Sequence, residues 1–327
     1  MYVEFLPDDL DFMERFAAAL GTTVVDNTVT IPPALGNGSV KYVNLDPDFN
    51  LIIHQYVLRE ELIIKRFASE KPTDVIHVLF NIHPDLNRAA NDGDPVENST
   101  LSEFAIRIIS NNLESDIRFS ADSAIHYVVV SIRRQTLKRL LDVKKPNPVV
   151  QTILGENTSF LFYEKITVPM HKVLKQLTTV AETNPLTTLH QRIKIQELIY
   201  LFFERLLQRQ MVQPSPVHKA DIDKLFWVRS AILADLSAPP DLKQLAKQTG
   251  LSLTKMFNLF NQIFGNSIYK YYQIVRMEEA ANLLRSGAHS VSETGYRLGF
   301  INLSHFTRLF EKHYGVKPKK YSLNERN

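Results

Sequence analysis

The strongest constraint in this sequence is a pattern that occurs twice in its last hundred or so residues: a short helix, a glycine turn and a second helix. Asp241 stands where an N-cap is needed before Leu242 to Gln248, and Leu245 and Ala246 of that segment face inward. Gly250 supplies the tight turn, and Ser252 caps a helix running to Phe264. The grammar then repeats. Ser290 or Ser292 starts a short helix ending near Leu298, Gly299-Phe300 turns, and Leu303 to Tyr314 forms the next helix, closed by Gly315. Upstream, Ile222 to Leu236 reads as a further helix, stopped by Pro239-Pro240. Between the two units Ile268 to Arg285 reads as one continuous helix, and at ~1.5 Å per residue it spans ~30 Å, close to the ~34 Å repeat of B-DNA. A helix joined by a short turn to a second helix is the arrangement that lays the second helix in a major groove. Two such helices on a rigid spacer would enter successive groove segments on one face of a duplex.

Charge points the same way. From Val217 onward the chain carries 16 Lys and Arg against 9 Asp and Glu, while the remainder carries 22 against 26, out of 38 and 35 in all. A basic C-terminal part on a mildly acidic N-terminal one implies either a polyanion partner for the C-terminal part or an ordinary solvated surface.

These residues also carry a family resemblance. The run Val291-Ser292-Glu293-Thr294-Gly295-Tyr296-Arg297-Leu298-Gly299-Phe300 resembles the signature of AraC/XylS-type transcription regulators. So do Ser304-His305-Phe306-Thr307-Arg308-Leu309-Phe310 and Gly315-Val316-Lys317-Pro318-Lys319-Lys320-Tyr321, and Leu242 to Gly265 and Arg276 to Leu284 agree with it. The likeness covers about a hundred residues; a looser one is to the pyochelin-responsive subgroup. It implies a fold class of α+β: a β-rich, cupin-like N-terminal domain with a helical dimerisation or linker segment, then an all-α C-terminal domain with two helix-turn-helix units. It also implies RNA polymerase as a partner.

Within the second reading helix, Phe306, Leu309 and Phe310 keep core spacing, which leaves Asn302, Leu303, His305, Thr307, Arg308 and Lys312 toward solvent or double-stranded DNA. Arg308 matches the family's usual arginine and suits guanine or a phosphate. Lys317, Lys319 and Lys320 are phosphate contacts or a solvated charge run. The first reading helix departs from the family by placing Asn258 where many members have a basic residue. Its outward set is Leu253, Thr254, Phe257, Asn258, Asn261 and Gln262, with Lys255 its one charge. Amides suit adenine and apolar groups suit the thymine methyl, although Phe257 could equally fill the core. Arg276 matches a linker-helix arginine for which a structural role is expected.

The N-terminal part reads differently. β-Branched runs at Leu51 to Leu58, Leu62 to Phe67, Val75 to His83, Phe104 to Ile109 and Ile125 to Ile132 are separated by turn signals such as Asn91 to Pro95. A helix from about Asp8 to Leu20, capped by Asp8, precedes them. After Lys144-Lys145-Pro146-Asn147-Pro148 the pattern turns helical, with segments at Met170 to Ala181 and Leu189 to Met211. In the second, Leu186, Ile193, Tyr200 and Leu207 recur every seven residues beside Leu189 and Phe203. That stripe is either a buried helix face or the seam of a homodimer. Gln213-Pro214-Ser215-Pro216 is a joint. The domains expected are therefore 1–150, β-rich and effector-binding; 151–215, helical linker or dimerisation segment; and 216–327, DNA-binding.

Enzyme readings find little support. The chain has no cysteine, no glycine-rich phosphate loop and no His-Glu zinc pair at helical spacing. His54, His77, His83 and His126 lack the histidine-x-histidine and glutamate pattern of metal-binding cupins, so no metal or cofactor is expected. No apolar run approaches the ~20 residues of a membrane span, and the acidic start, with Glu4, Asp8, Asp9 and Asp11, is unlike a secretory signal. The expectation is a cytoplasmic, non-enzymatic, DNA-binding transcription regulator, read as an activator whose N-terminal domain takes a small-molecule effector. Two rivals stay open: a regulator governed by a protein partner, and a β-domain enzyme fused to a DNA-binding tail.

Overall fold

A computed structural model describes residues 1–5, 12–69, 74–82, 105–156, 158–178, 184–209 and 214–324. Asp8, His83 and the cluster Asn91 to Pro95 lie outside them. The chain divides into two compact units, one ending at Lys219 and the other beginning at Ala220.

In the first unit the elements run β1 (Tyr2–Phe5), α1 (Phe12–Ala19), β2 (Thr28–Thr30), β3 (Gly36–Asp46), β4 (Phe49–Leu58), β5 (Leu62–Arg66), β6 (Val75–Asn81), β7 (Ala105–Ile109), β8 (Ser115–Phe119) and β9 (Ala124–Arg133). They continue as α2 (Arg134–Leu141), α3 (Pro148–Leu154), β10 (Leu161–Lys165), α4 (Val168–Thr178) and α5 (Thr187–Leu207). Seven strands form one sheet in the order β10-β7-β6-β9-β4-β3-β2, antiparallel at every pairing. A smaller sheet has the order β1-β5-β8.

Alternation explains which face is covered. In β6 every second residue, Ile76, Val78 and Phe80, is buried, and in register with them β9 buries Val128, Val130 and Ile132. This face meets Met170, Val173, Leu174 and Leu177 of α4 and Ile195, Leu198, Ile199, Phe202, Phe203 and Leu206 of α5 in one core. A second core gathers Phe12, Phe16 and Ala17 of α1 over Tyr56, Leu58, Leu62, Ile64, Ile125 and Tyr127.

The segment 151–215, expected as a helical linker or dimerisation segment, belongs to this unit. It supplies β10 to the sheet edge beside β7 and α4 and α5 to the core. Two polar ties hold it. Buried Glu164 of β10 accepts from Arg205 Nε (3.1 Å) and Arg209 Nε (2.7 Å) at the end of α5. Asn147 caps α3 through Val150 N (3.0 Å) and donates to Leu206 O (2.8 Å) and Leu207 O (3.1 Å). Pro148 takes the first helical position, where its missing N–H costs nothing, so a sequence that reads as a breaker is also a helix start.

The second unit is helical: α6 (Lys219–Ala234, entering from Ala220), α7 (Leu242–Thr249), α8 (Leu253–Phe264), α9 (Ile268–Arg285), α10 (Val291–Arg297), α11 (Leu303–Tyr314) and α12 (Pro318–Asn324). The chain is thus α+β, a β-rich unit followed by an all-α one. Among the described residues no helix is long and apolar enough to cross a membrane, and no group of three or more potential metal ligands comes together. His54 is buried against Tyr127, whereas His77 faces the Ser131 hydroxyl at 2.9 Å.

Candidate DNA-binding interface

The first helix pair is built by its ends. Asp241 accepts from the N–H groups of Lys243 (2.9 Å) and Gln244 (3.0 Å) at the start of α7, and Ser252 accepts from Lys255 N (3.3 Å) at the start of α8. Such caps are worth ~1 kcal/mol each. Met256, Leu259, Phe260, Ile263 and Phe264 bury one side of α8, which turns Leu253, Thr254, Phe257 and Asn258 to solvent. Phe257 is thereby an outward residue, 39% exposed. Asn261 is half-buried, and Gln262, expected on the reading face, is buried; it lies three residues beyond buried Leu259 and so on the same side. Lys255, the one charge of this helix, is held by both carboxylate oxygens of Asp221 in α6, at 3.0 and 2.9 Å.

The second pair repeats this plan fifty residues on, so that Ser252, Met256, Asn258 and Phe260 correspond to Asn302, Phe306, Arg308 and Phe310. Ser290 and Glu293 cap α10 reciprocally, Ser290 N donating to the Glu293 carboxylate at 2.7 Å and Glu293 N to Ser290 Oγ at 3.2 Å. These bonds hold the Glu293 carboxyl below its ordinary range. Phe306 and Phe310 are fully buried among Met277, Ala280, Ala281, Leu284, Leu298 and Phe300. Close packing needs small residues here. A Cβ on Gly295 would stand 2.5 Å from Leu303 Cδ2, and one on Gly299, whose φ is +73°, would stand 1.7 Å from Ser237 O.

On α11 the outward residues are Ser304, His305, Arg308, Lys312 and His313, of which Ser304, Arg308 and Lys312 are four apart along one stripe. Arg308 forms no hydrogen bond or ion pair among the described residues. Three expected contact residues are placed otherwise. Asn302 is the N-cap, its side-chain oxygen committed to Ser304 N (2.9 Å) and His305 N (3.2 Å). Leu303 is half-buried against α10, at Gly295, and Thr307 is half-buried. Lys317, Lys319 and Lys320 are exposed around α12, which Tyr321 fixes by its ring contacts with Phe310 and Tyr314.

Arg276 has the structural role expected of it. Its guanidinium lies on the Phe300 ring, 3.6 Å from the centroid, and donates from Nε to Leu298 O at 2.8 Å, tying α9 to the turn after α10. Burial lowers its pKa from the ordinary value. Sequence reasoning missed the Asp221 partner of Lys255. It also passed over Ile301, which stands in the turn before α11 and is 98% exposed.

In the first unit, Leu186, Leu189, Ile193, Tyr200 and Leu207 are all exposed along α5. Phe203 is not part of this seam: it lies in the core with Phe202, on the side of the helix that faces the sheet.

Capped helices joined by a tight turn, twice over, with polar and basic side chains left on the second helix of each pair, define a helix-turn-helix DNA-binding domain. Residues 245–324 match the family described as "Helix-turn-helix domain". The chain is similar to the HTH-type transcriptional activator RhaR of Mannheimia succiniciproducens, 25% identical over 167 residues, 51% of this chain and 59% of that protein. It is also similar to the RhaR of Yersinia pestis, 28% identical over 130 residues, 39% of this chain and 45% of that protein. The match therefore spans about half the length of these curated relatives. Among solved structures, a probable AraC family transcriptional regulator from Rhodopseudomonas palustris is 30% identical, with 32% of this chain and 99% of that one covered at a TM-score of 0.30. Residues 245–324 are thus a helix-turn-helix domain.

Proposed function

We propose that the chain is a sequence-specific DNA-binding transcription regulator, an activator that reads DNA through α8 and α11. The observation that carries this is the pair of outward helix faces, each on the second helix of its unit, joined by the 18-residue α9, about 27 Å long. A separation near one turn of B-DNA suits two successive major-groove segments. Arg308 reads guanine, while Leu253, Thr254, Phe257, Asn258 and half-buried Asn261 meet A·T pairs, which present thymine methyls and adenine edges. Lys312, Lys319 and Lys320 neutralise phosphates. The first unit takes a small-molecule effector and forms a homodimer through Leu189, Ile193, Tyr200 and Leu207 of α5, and the DNA-bound protein meets RNA polymerase. Names of the curated relatives, both activators, support the sign of regulation.

Salt titration of the full chain on a duplex tests the electrostatic part. Each neutralised phosphate contributes a slope of about −0.9 to log K against log salt, so the three lysines alone give a slope of about −2.7. A flat response would overturn the reading. Mass spectrometry of small molecules released from the purified protein tests the effector.

A further inference from the structure

The two turns differ by one residue. In the first pair the left-handed Gly250 is followed by Leu251 and then the cap Ser252; in the second, Gly299 is followed by Phe300, Ile301 and then the cap Asn302. The residue before an N-cap ordinarily packs on the fourth helical residue, as a hydrophobic staple. Leu251 and Met256 hold those two positions, and both are all but excluded from solvent. In the longer turn Phe300 occupies that place, its ring 5.2 Å from that of Phe306, and Ile301 is displaced outward to 98% exposure. The fold makes no use of this side chain. It is the most exposed large apolar residue among those described, and it sits at the leading end of the helix that carries Arg308.

Resting on the DNA-binding reading of α11, we propose that Ile301 is a specificity-determining residue that packs against a thymine methyl group in the second groove segment. The N-terminal end of a recognition helix meets base edges, and the 5-methyl of thymine is the apolar feature the major groove offers there. Burying a branched aliphatic group against it favours thymine over cytosine at that pair without any hydrogen bond. Arg308, one helical turn and more further along, reads its own base pair independently.

The experiment uses the full chain and a duplex chosen by selection from a random pool, with each thymine of the second segment replaced singly by uracil, which removes only the methyl. The wild-type protein should lose about threefold to fivefold in affinity at one position, the worth of one buried methyl. Ile301→Ala should bind the thymine and uracil duplexes equally there, and Ile301→Glu should lose more than tenfold on all sites by repulsion from phosphate. Thermal unfolding of Ile301→Ala should match the wild type, because the side chain is exposed, so a folding defect is separable. An Ile301→Ala protein with wild-type affinity and an unchanged uracil profile would overturn the proposal, as would a uniform loss with the uracil penalty kept. A wild-type protein that binds no duplex would instead overturn the DNA-binding reading itself.

Discussion

Replacing Gly299 by alanine should destabilise the second unit far more than the same change at Gly250 or Gly315. All three glycines have positive φ, +73°, +65° and +73°, so each alanine costs ~1 kcal/mol for the left-handed backbone. At Gly250 and Gly315 nothing else lies within 4 Å of the new Cβ. At Gly299 the Cβ would stand 1.7 Å from Ser237 O and 2.7 Å from its carbonyl carbon, both backbone atoms, so the turn before α11 or the segment after α6 must move. Displacement of packed backbone adds ~2 to 3 kcal/mol, giving ~3 to 4 kcal/mol in total. Gly295 ranks with Gly250 and Gly315, for a different reason. Alanine suits a helix better than glycine by ~1 kcal/mol, but the Cβ meets Leu303 Cδ2 at 2.5 Å, a movable side-chain end, for a net cost of ~1 kcal/mol. The single tryptophan, Trp227 in α6, reports this unit alone, so urea unfolding followed by its fluorescence gives all four values in the full chain. Equal midpoints for Gly299→Ala and Gly250→Ala would refute the close approach of Gly299 to Ser237.

Arg308→Ala should weaken binding to the preferred duplex by ~1 to 3 kcal/mol and leave Trp227 unfolding unchanged; an equal loss on every sequence would assign the guanidinium to phosphate. Tyr200→Asp places a charge in the exposed α5 stripe and should convert a dimer to a monomer in sedimentation equilibrium, whereas a wild-type protein that is monomeric at high concentration rejects the seam. Burial pushes the His54 pKa well below 6.5. The unfolded chain therefore binds the proton first, and stability is unaffected above pH 6.5 but falls below it. His54 thereby contributes to the loss of stability in acid, and His54→Phe should remove that part of the slope in acid unfolding of the first unit. A parent and variant with the same pH profile would show that His54 protonates freely in the folded protein.

The second unit was legible in the sequence because its signals are local. Asp241, Ser252 and Gly315 announce helix ends whatever surrounds them, and the core spacing of Phe306 and Phe310 needs no knowledge of partners. What escaped there was pairwise: Gln262 and Lys255 sit on the α8 side that turns toward other helices, and nothing in α8 alone shows that Asp221 waits for the lysine. Ile301 was hidden by a difference of one residue between two turns. In the first unit the β-branched runs located β4, β5, β6, β7 and β9, but β3, with Gly36, Asn37, Gly38 and Ser39, and β8, with its exposed polar residues, carry no such pattern. Leu161 to Lys165 lies beyond the breaker and pairs with β7 some fifty residues earlier, a non-local contact that short-range patterning cannot reveal. Periodicity alone leaves the α5 stripe open between a buried helix face and a dimer seam, and the structure exposes Leu189, Ile193, Tyr200 and Leu207. Phe203 belongs to the opposite, sheet-facing side because it adjoins Phe202 and precedes Leu206 by three.

Selection of the full chain on random duplexes, followed by footprinting of the enriched sequences, tests most directly whether two unlike reading helices on one rigid spacer form the functional surface. The expected result is an asymmetric site of two short segments about one helical turn apart, the first rich in A·T pairs opposite Leu253, Thr254, Phe257 and Asn258, the second holding a G·C pair that Arg308→Ala ceases to select. Recovery of no preferred sequence, of one uninterrupted half-site, or of a G-rich first segment would contradict it.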